Sequence, residues 1–131
     1  MPVAAAGNGG TNVPWYPCAY DYVVCAGASF NDGSRCTAPS CSDSGSNYGN
    51  HVDFAVPGYL LRGAGGLSTT DYASASATSF AAPLLAGVAA ILHAAGKTTP
   101  LSKYEALYFT TQNNLGWTSR GLIDANAAVL Y

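Results

Sequence analysis

A lone serine stands where a small-residue turn runs into an apolar segment: Ala77-Thr78-Ser79-Phe80-Ala81-Ala82-Pro83 leads straight into Leu84 to Ala95. If that segment is helical, Ser79 lies in its first turn. Backbone N–H groups there have no intrahelical acceptor and the helix dipole is positive, so an anion forming beside the hydroxyl is stabilised. That geometry suits acyl transfer. A serine so placed is a nucleophile only if a base takes its proton and donors hold the oxyanion. A donor can be found in Pro2-Val3-Ala4-Ala5-Ala6-Gly7-Asn8-Gly9-Gly10, a short apolar run ending in glycines that bracket one amide. An Asn at the end of a buried strand can aim its NH2 group into a cleft. Taken alone, Gly-Asn-Gly-Gly is more often simply a turn.

The base is harder to find, because the chain has two histidines. His93 lies fourteen positions beyond Ser79 in the same helical segment, roughly 20 Å along the axis at about 1.5 Å per residue. It cannot reach the hydroxyl. His51 precedes Val52-Asp53-Phe54-Ala55-Val56-Pro57-Gly58 and reads as a loop histidine. Neither meets the requirement for a general base, which must come within hydrogen-bond reach of the proton it abstracts.

The elements that would position these groups read as one α/β unit, since 131 residues fall within the usual single-domain range. Val3 to Ala6, Tyr22 to Ala28 and Val52 to Val56 are short, apolar and bounded by Gly or Pro, as buried parallel strands are. Asn31 to Asn50 reads as an inserted loop, Gly63 to Ser68 as a turn, and Tyr72 to Ala77 as the approach to the serine. A central helix is expected over Ser79 to Ala95 with Gly96 as its stop. A second helix is expected over Ser102 to Thr111, with Leu101, Ala106, Leu107 and Thr110 facing inward. Ala81, Leu84, Leu85, Val88, Ala89, Ile91 and Leu92 cover most of the central helix's circumference, the pattern of a helix buried inside a larger domain.

Composition narrows the function classes. Charged residues make up 9% and hydrophobic ones 49%, against roughly a quarter charged in ordinary soluble domains. With a formal charge of −2 and five basic residues, there is no electrostatic footprint for nucleic acid. The longest low-polarity run, Phe80 to Ala95, is shorter than the roughly 20 apolar residues that span a bilayer and is broken by Pro83, Gly87 and His93, so no membrane partner is expected. Met1 to Gly10 lacks the basic and cleavage features of a signal peptide. Cys36 and Cys41 can close a small ring in an oxidising compartment, although four cysteines allow three pairings. Zinc would call for tighter Cys pairs and a clear fourth ligand.

Taken in order, Val3 to Gly10, Gly27-Ala28, Ser46-Asn47-Tyr48-Gly49, Val52 to Gly58, Ala77 to Pro83 with Ala86-Gly87, and Gly121 to Ala125 resemble the subtilisin-like serine peptidases. Gly96-Lys97-Thr98-Thr99 looks like the proteinase K branch of that family. The likeness spans nearly all of the chain. It implies a three-layer α/β parallel-sheet fold of which this is the C-terminal half, with Ser79 as the catalytic serine, and Asn8 and the Ser79 N–H as oxyanion donors. The substrate would be a peptide whose P1 side chain lies over the wall Ala4-Ala5-Ala6-Gly7. The acid and base would lie upstream of the asparagine strand, so the chain alone is expected to have little or no activity and to need that N-terminal half as a partner.

The same resemblance implies a secreted parent and raises a structural calcium held by Asp53 with the carbonyls of Tyr22 and Val24, although an Asp satisfied by backbone amides fits that position as well. No cofactor is needed for the chemistry. Cys25 matches a family cysteine whose later partner is replaced here by Tyr104. Ala77 stands where the family has Gly, a strained place for alanine if φ were positive, and Leu84 stands where the family has His. The competing reading is a non-catalytic, peptide-binding or structural remnant of such a peptidase.

Overall fold

The structure is a computed structural model that describes residues 1–112 and 115–131. Its centre is a parallel four-stranded sheet in the order β1-β2-β3-β6, built from Val3–Ala5 (β1), Val24–Ser29 (β2), Phe54–Pro57 (β3) and Gly121–Leu122 (β6). All six residues of β2 are buried. Its sequence Val-Cys-Ala-Gly-Ala-Ser is a continuous run of small or apolar residues, as a strand covered on both faces must be.

The pleat sends alternate residues to the two faces. Val24, Ala26 and Ala28 join Phe54, Val56, Leu85, Leu92, Leu107 and Ala128 in the main core. Cys25 joins Ala6, Cys18 and Val52 in a second cluster on which Ala4 and Trp117 pack. The three helices therefore cover one face, and loops cover the other. Between them sits Gly27, where a Cβ would come within 2.7 Å of the Trp117 ring and 2.9 Å of Val52.

The parallel α/β expectation holds, and the strands fall where the sequence places them with shifts of up to two residues. Thr78–Ala94 forms α1, and Gly96 follows it at φ 94°, in the left-handed region that a helix stop uses. Its buried stripe is Thr78, Ala81, Leu85, Val88, Ala89 and Leu92, whereas Phe80, Leu84 and Ile91 are exposed. Apolar residues thus run round the helix, but only one side of it is covered.

The second helix, α2, spans Pro100–Thr110 and begins two residues before the expected Ser102. Thr99 caps it. The Ser102 N–H donates to Thr99 Oγ1 at 3.0 Å and the Thr99 N–H donates to Ser102 Oγ at 3.2 Å, a reciprocal box that fixes the helix start at Pro100. Leu101 is consequently in the first turn and 64% exposed, not inward-facing, while Ala106 and Leu107 are fully buried.

Four elements carried no clear sequence signal. Leu61–Ala64 (β4) and Tyr72–Ala75 (β5) pair antiparallel as an exposed hairpin around the Gly63–Ser68 region read as a turn. Ala125–Leu130 (α3) is capped by Asp124, whose Oδ1 accepts from the Ala127 N–H at 2.9 Å. Strand β6 is only two residues long.

Two disulfides brace the loops, Cys18–Cys25 and Cys36–Cys41. The second is the small ring the spacing allows. The first gives Cys25 a partner, and Tyr104 packs instead against Phe54 with ring centroids 5.6 Å apart. No helix among the described residues is long and apolar enough to cross a membrane.

Leu85 is fully buried between α1 and the sheet. Leu85→Ala is expected to cost about 3 kcal/mol, the usual range for an unrelaxed leucine cavity, read as a lower midpoint in urea unfolding with an unchanged m-value.

Candidate active site

The turn after β1 and the first turn of α1 are joined through a single side chain. Asn8 Oδ1 accepts two hydrogen bonds from Thr78, one from its backbone N–H at 3.0 Å and one from its hydroxyl at 2.9 Å. The same hydroxyl accepts from the Gly7 N–H at 3.2 Å. Because both groups facing Asn8 from Thr78 are donors, the carboxamide oxygen must turn to them, and the Nδ2 group is left directed elsewhere. No partner for Nδ2 is found among the described residues.

Ser79 follows Thr78 immediately and is exposed. As the second residue of α1 its N–H has no intrahelical acceptor. Its hydroxyl also has no partner among the described residues. Two donors without a partner among the described residues, the Asn8 amide and the Ser79 N–H, thus belong to the residue bonded to Thr78 and to the residue that follows Thr78.

The backbone leading to Asn8 is held on both sides. Gly7 sits at φ 94°, which a side chain would strain. Asn47, fully buried, donates from Nδ2 to the Ala6 carbonyl at 2.8 Å and from its N–H to the Gly7 carbonyl at 2.8 Å, and its Oδ1 accepts from the Thr11 N–H at 3.2 Å. Ser44 donates its N–H to the Asn8 carbonyl at 3.0 Å, and two residues earlier Ser42 donates to the Ser76 carbonyl at 3.0 Å. The loop read only as an insertion therefore ties the asparagine strand to the serine turn. Neither Thr78 nor Asn47 was singled out as a site residue from sequence. Asn47 lies in one of the strings that carry the resemblance, which was the signal available for it.

Ala77, in the place where the family has glycine, adopts φ −171° and ψ 167°. Extended backbone suits any residue, so the alanine is unstrained. It is anchored by its N–H to the Gly58 carbonyl at 3.0 Å. The absence of a side chain at Gly58 leaves room here, since a Cβ there would lie 2.5 Å from the Ala28 Cβ on β2 and 3.2 Å from the Ala77 carbonyl oxygen.

Of the proposed peptide wall, Ala6 is fully buried while Ala4, Ala5 and Gly7 are partly exposed. β1 is an outer strand of the sheet, paired on one side with β2. Neither histidine joins the site. His93 sits at the far end of α1 from Ser79. Asn8 follows the C-terminal end of β1, and His51 precedes the N-terminal end of β3 in the same parallel sheet, so the two lie at opposite edges. Burial pulls the His51 pKa below its ordinary value, opposed in part by the charge of Asp53.

Asp53 lies away from Ser79, against a cavity of about 580 Å³ that Tyr22, Val24, His51 and Tyr104 also line. Its Oδ2 accepts from the Cys25 N–H at 2.8 Å and its Oδ1 from the Tyr104 hydroxyl at 3.1 Å. That hydroxyl in turn accepts from Arg120 Nε at 3.2 Å. Burial pushes the Asp53 carboxyl above its usual range, against the pull of these donors and of Arg120. Both carboxylate oxygens already have protein partners, a cationic side chain stands behind one of them, and no cluster of three or more Asp, Glu, His or Cys side chains converges among the described residues. Tyr22 is 95% exposed at φ 68°.

The Thr78 hydroxyl both gives and receives a hydrogen bond within the site. Thr78→Val keeps its shape and removes both, leaving the Gly7 N–H without its acceptor. A loss of about 1–3 kcal/mol in unfolding free energy is expected from chemical denaturation.

Comparison with known proteins bears on the family and the fold. Residues 1–125 match the subtilase family. Thermitase from Thermoactinomyces vulgaris is 34% identical over 98% of this chain and 44% of its own length. The extracellular basic protease of Dichelobacter nodosus is 37% identical over 97% of this chain and 22% of its own. Among solved structures, a protease from Pseudoalteromonas arctica superposes with a TM-score of 0.76 at 31% identity, over 96% of this chain and 41% of that one. The chain spans less than half the length of these relatives. With the match covering nearly all of its residues and the strands, turn and helix in matching arrangement, the chain belongs to the subtilase family.

Proposed function

We propose that this chain is the nucleophile-bearing part of a serine endopeptidase. Ser79 Oγ attacks the carbonyl of a bound peptide, the Asn8 Nδ2 and the Ser79 N–H receive the negative charge that develops on oxygen, and the leaving amine departs to give an acyl-serine that water then hydrolyses. The observation that supports this reading is the Thr78 clamp, which ties the Asn8 oxygen to the residue before Ser79 and leaves the NH2 group without a partner among the described residues. The base that takes the Ser79 proton, and the acid that orients that base, are assigned to sequence outside these 131 residues, because His51 and His93 are both remote from Ser79.

That assignment names a partner. The outer edge of β1 and the exposed apolar side of α1, with Phe80, Leu84 and Ile91, are the surfaces an upstream half of the domain would cover. The isolated chain is therefore proposed to hydrolyse peptides poorly or not at all and to be prone to self-association through these surfaces. The two disulfides and the likeness to a protease named as extracellular support a secreted location. A non-catalytic remnant is the second reading. The unstrained Ala77 and the open Ser79 hydroxyl count against it, since neither shows a site closed off by substitution.

For calcium, resemblance and local chemistry point in different directions. The resemblance offers Asp53 with the carbonyls of Tyr22 and Val24, whereas Cys25 and Tyr104 already satisfy both Asp53 oxygens. Melting temperatures in chelator and in millimolar calcium are expected to agree. A rise with calcium would mean that the carboxylate exchanges the Tyr104 hydroxyl for the ion.

The catalytic reading is tested with the polypeptide expressed together with whatever sequence its gene places before Met1. A fluorophosphonate should label it, Ser79→Ala should abolish labelling, and Asn8→Ala should lower kcat by about a hundred- to a thousandfold. Labelling that survives Ser79→Ala would remove the proposal. Efficient peptide hydrolysis by the 131-residue chain alone, lost in Ser79→Ala, would place the base within it and overturn the assignment made above.

A further inference from the structure

Past Ala6 the first strand leaves the sheet. The Ala6 N–H donates to the Ala26 carbonyl on β2 at 3.0 Å, whereas the next N–H, that of Gly7, turns to the Thr78 hydroxyl. A stretch of the loop between β2 and β3 takes over as the template for the turn that carries Asn8. Ser44 donates its N–H to the Asn8 carbonyl at 3.0 Å, Asn47 to the Gly7 carbonyl at 2.8 Å and Tyr48 to the Thr11 carbonyl at 3.1 Å, while the Gly10 N–H donates to the Gly45 carbonyl at 3.0 Å. These are backbone bonds, open to any side chain.

One side chain adds to them. Asn47 Nδ2 donates to the Ala6 carbonyl at 2.8 Å and its Oδ1 accepts from the Thr11 N–H at 3.2 Å, so a single carboxamide grips both stems of the turn. It reaches between them because positions 7 and 9 lack side chains. A Cβ on Gly7 would stand 2.7 Å from Asn47 Nδ2 and 2.4 Å from Trp15 Cε3, and one on Gly9 would stand 3.3 Å from Asn47 Oδ1 and 3.1 Å from Trp15 Cζ2. Asn47 is itself anchored. It is fully buried, and Ser46 Oγ donates to its carbonyl at 2.8 Å while accepting from the Ala28 N–H of β2 at 3.0 Å. Hydrogen bonds thus run from the sheet, through Ser46 and Asn47, to the chain on both sides of Asn8.

Resting on the assignment of Ser79 and Asn8, we propose that Asn47 is a positioning residue for the reaction, setting the turn so that Asn8 meets the oxyanion, and that its effect on rate passes through Asn8. Thr78 fixes the way the Asn8 amide faces. Asn47 fixes where the backbone carries it. The chemistry of the grip explains the residue type, because Ala6 offers an acceptor and Thr11 a donor. An amide answers both, whereas an ionised carboxylate of the same shape sets an acceptor against the Ala6 carbonyl, and a methyl answers neither. Either change frees the stems of the turn, and a misplacement of about 1 Å in a reacting geometry can cost on the order of a hundredfold in rate.

The test measures kcat and KM on one peptide substrate, with the polypeptide expressed together with whatever sequence its gene places before Met1 and its active serines counted by fluorophosphonate labelling run to completion. Per labelled serine, Asn47→Asp and Asn47→Ala are each expected to lower kcat by about ten- to a hundredfold, with KM held within about twofold. In an Asn8→Ala background the same substitutions should cost less than about threefold more, because the donor they misplace is already gone. An unchanged kcat in both variants, or losses that multiply in full in the double variants, would overturn the proposal. So would labelling of the wild type but of neither variant, since the amide would then serve folding and not the placement of Asn8. Each of these results leaves the peptidase reading standing, whereas a wild type that does not label removes that reading and this inference together.

Discussion

The site depends on the two hydrogen bonds that Thr78 gives to the Asn8 oxygen. Asn8 and Thr78 are seventy residues apart, one after the first strand and the other opening the central helix. An amide free to rotate would present oxygen and NH2 alternately to an oxyanion, and the oxygen would repel it. Tying the oxygen to a backbone N–H and a hydroxyl removes that ambiguity without using the NH2 group. In the role proposed for Asn8, an amide so fixed would be a donor that stabilises developing charge without a cost of reorganisation.

What surrounds this clamp serves to hold its two ends still. Gly7 can take the left-handed turn that aims Asn8 at the helix, and buried Asn47 satisfies the carbonyls of Ala6 and Gly7 that this turn leaves outside the sheet ladder. On the helix side, Gly58 admits the approach of Ala77, and the extended backbone of Ala77 feeds directly into Thr78. The disulfide-bearing loop of residues 31–50 bridges both ends through Ser42 and Ser44. The molecule devotes more of its buried polar bonding to this turn than to any histidine.

The uneven cover of α1 has a related meaning. Its buried stripe meets the sheet, but Phe80, Leu84 and Ile91 face outward beside an edge strand. Apolar residues on an otherwise solvated helix face are usually built to be covered. The side left bare is on the helix that carries Ser79, so the partner proposed above would complete both packing and chemistry.

Strands β1, β2 and β3 and the central helix with its glycine stop were legible in the sequence. Each is written in local pattern: short apolar runs between glycines, and a small-residue turn before an unbroken apolar stretch. The exposed β4–β5 hairpin was not legible, because neither strand is buried and so neither shows alternation. The start of α2 was misplaced because a capping box made of Thr and Ser, rather than Thr and Glu, gives a faint signal. Thr78, Asn47 and Trp15 went unseen because their contacts are with residues six to seventy-one positions away. Sequence alone thus determined which side chains were available and on which kind of element each would sit. Tertiary structure alone decided which way the Asn8 amide turns, which cysteine pairs with Cys25 and what ring covers Gly7, since orientation and proximity across the chain are properties of packing and not of local propensity.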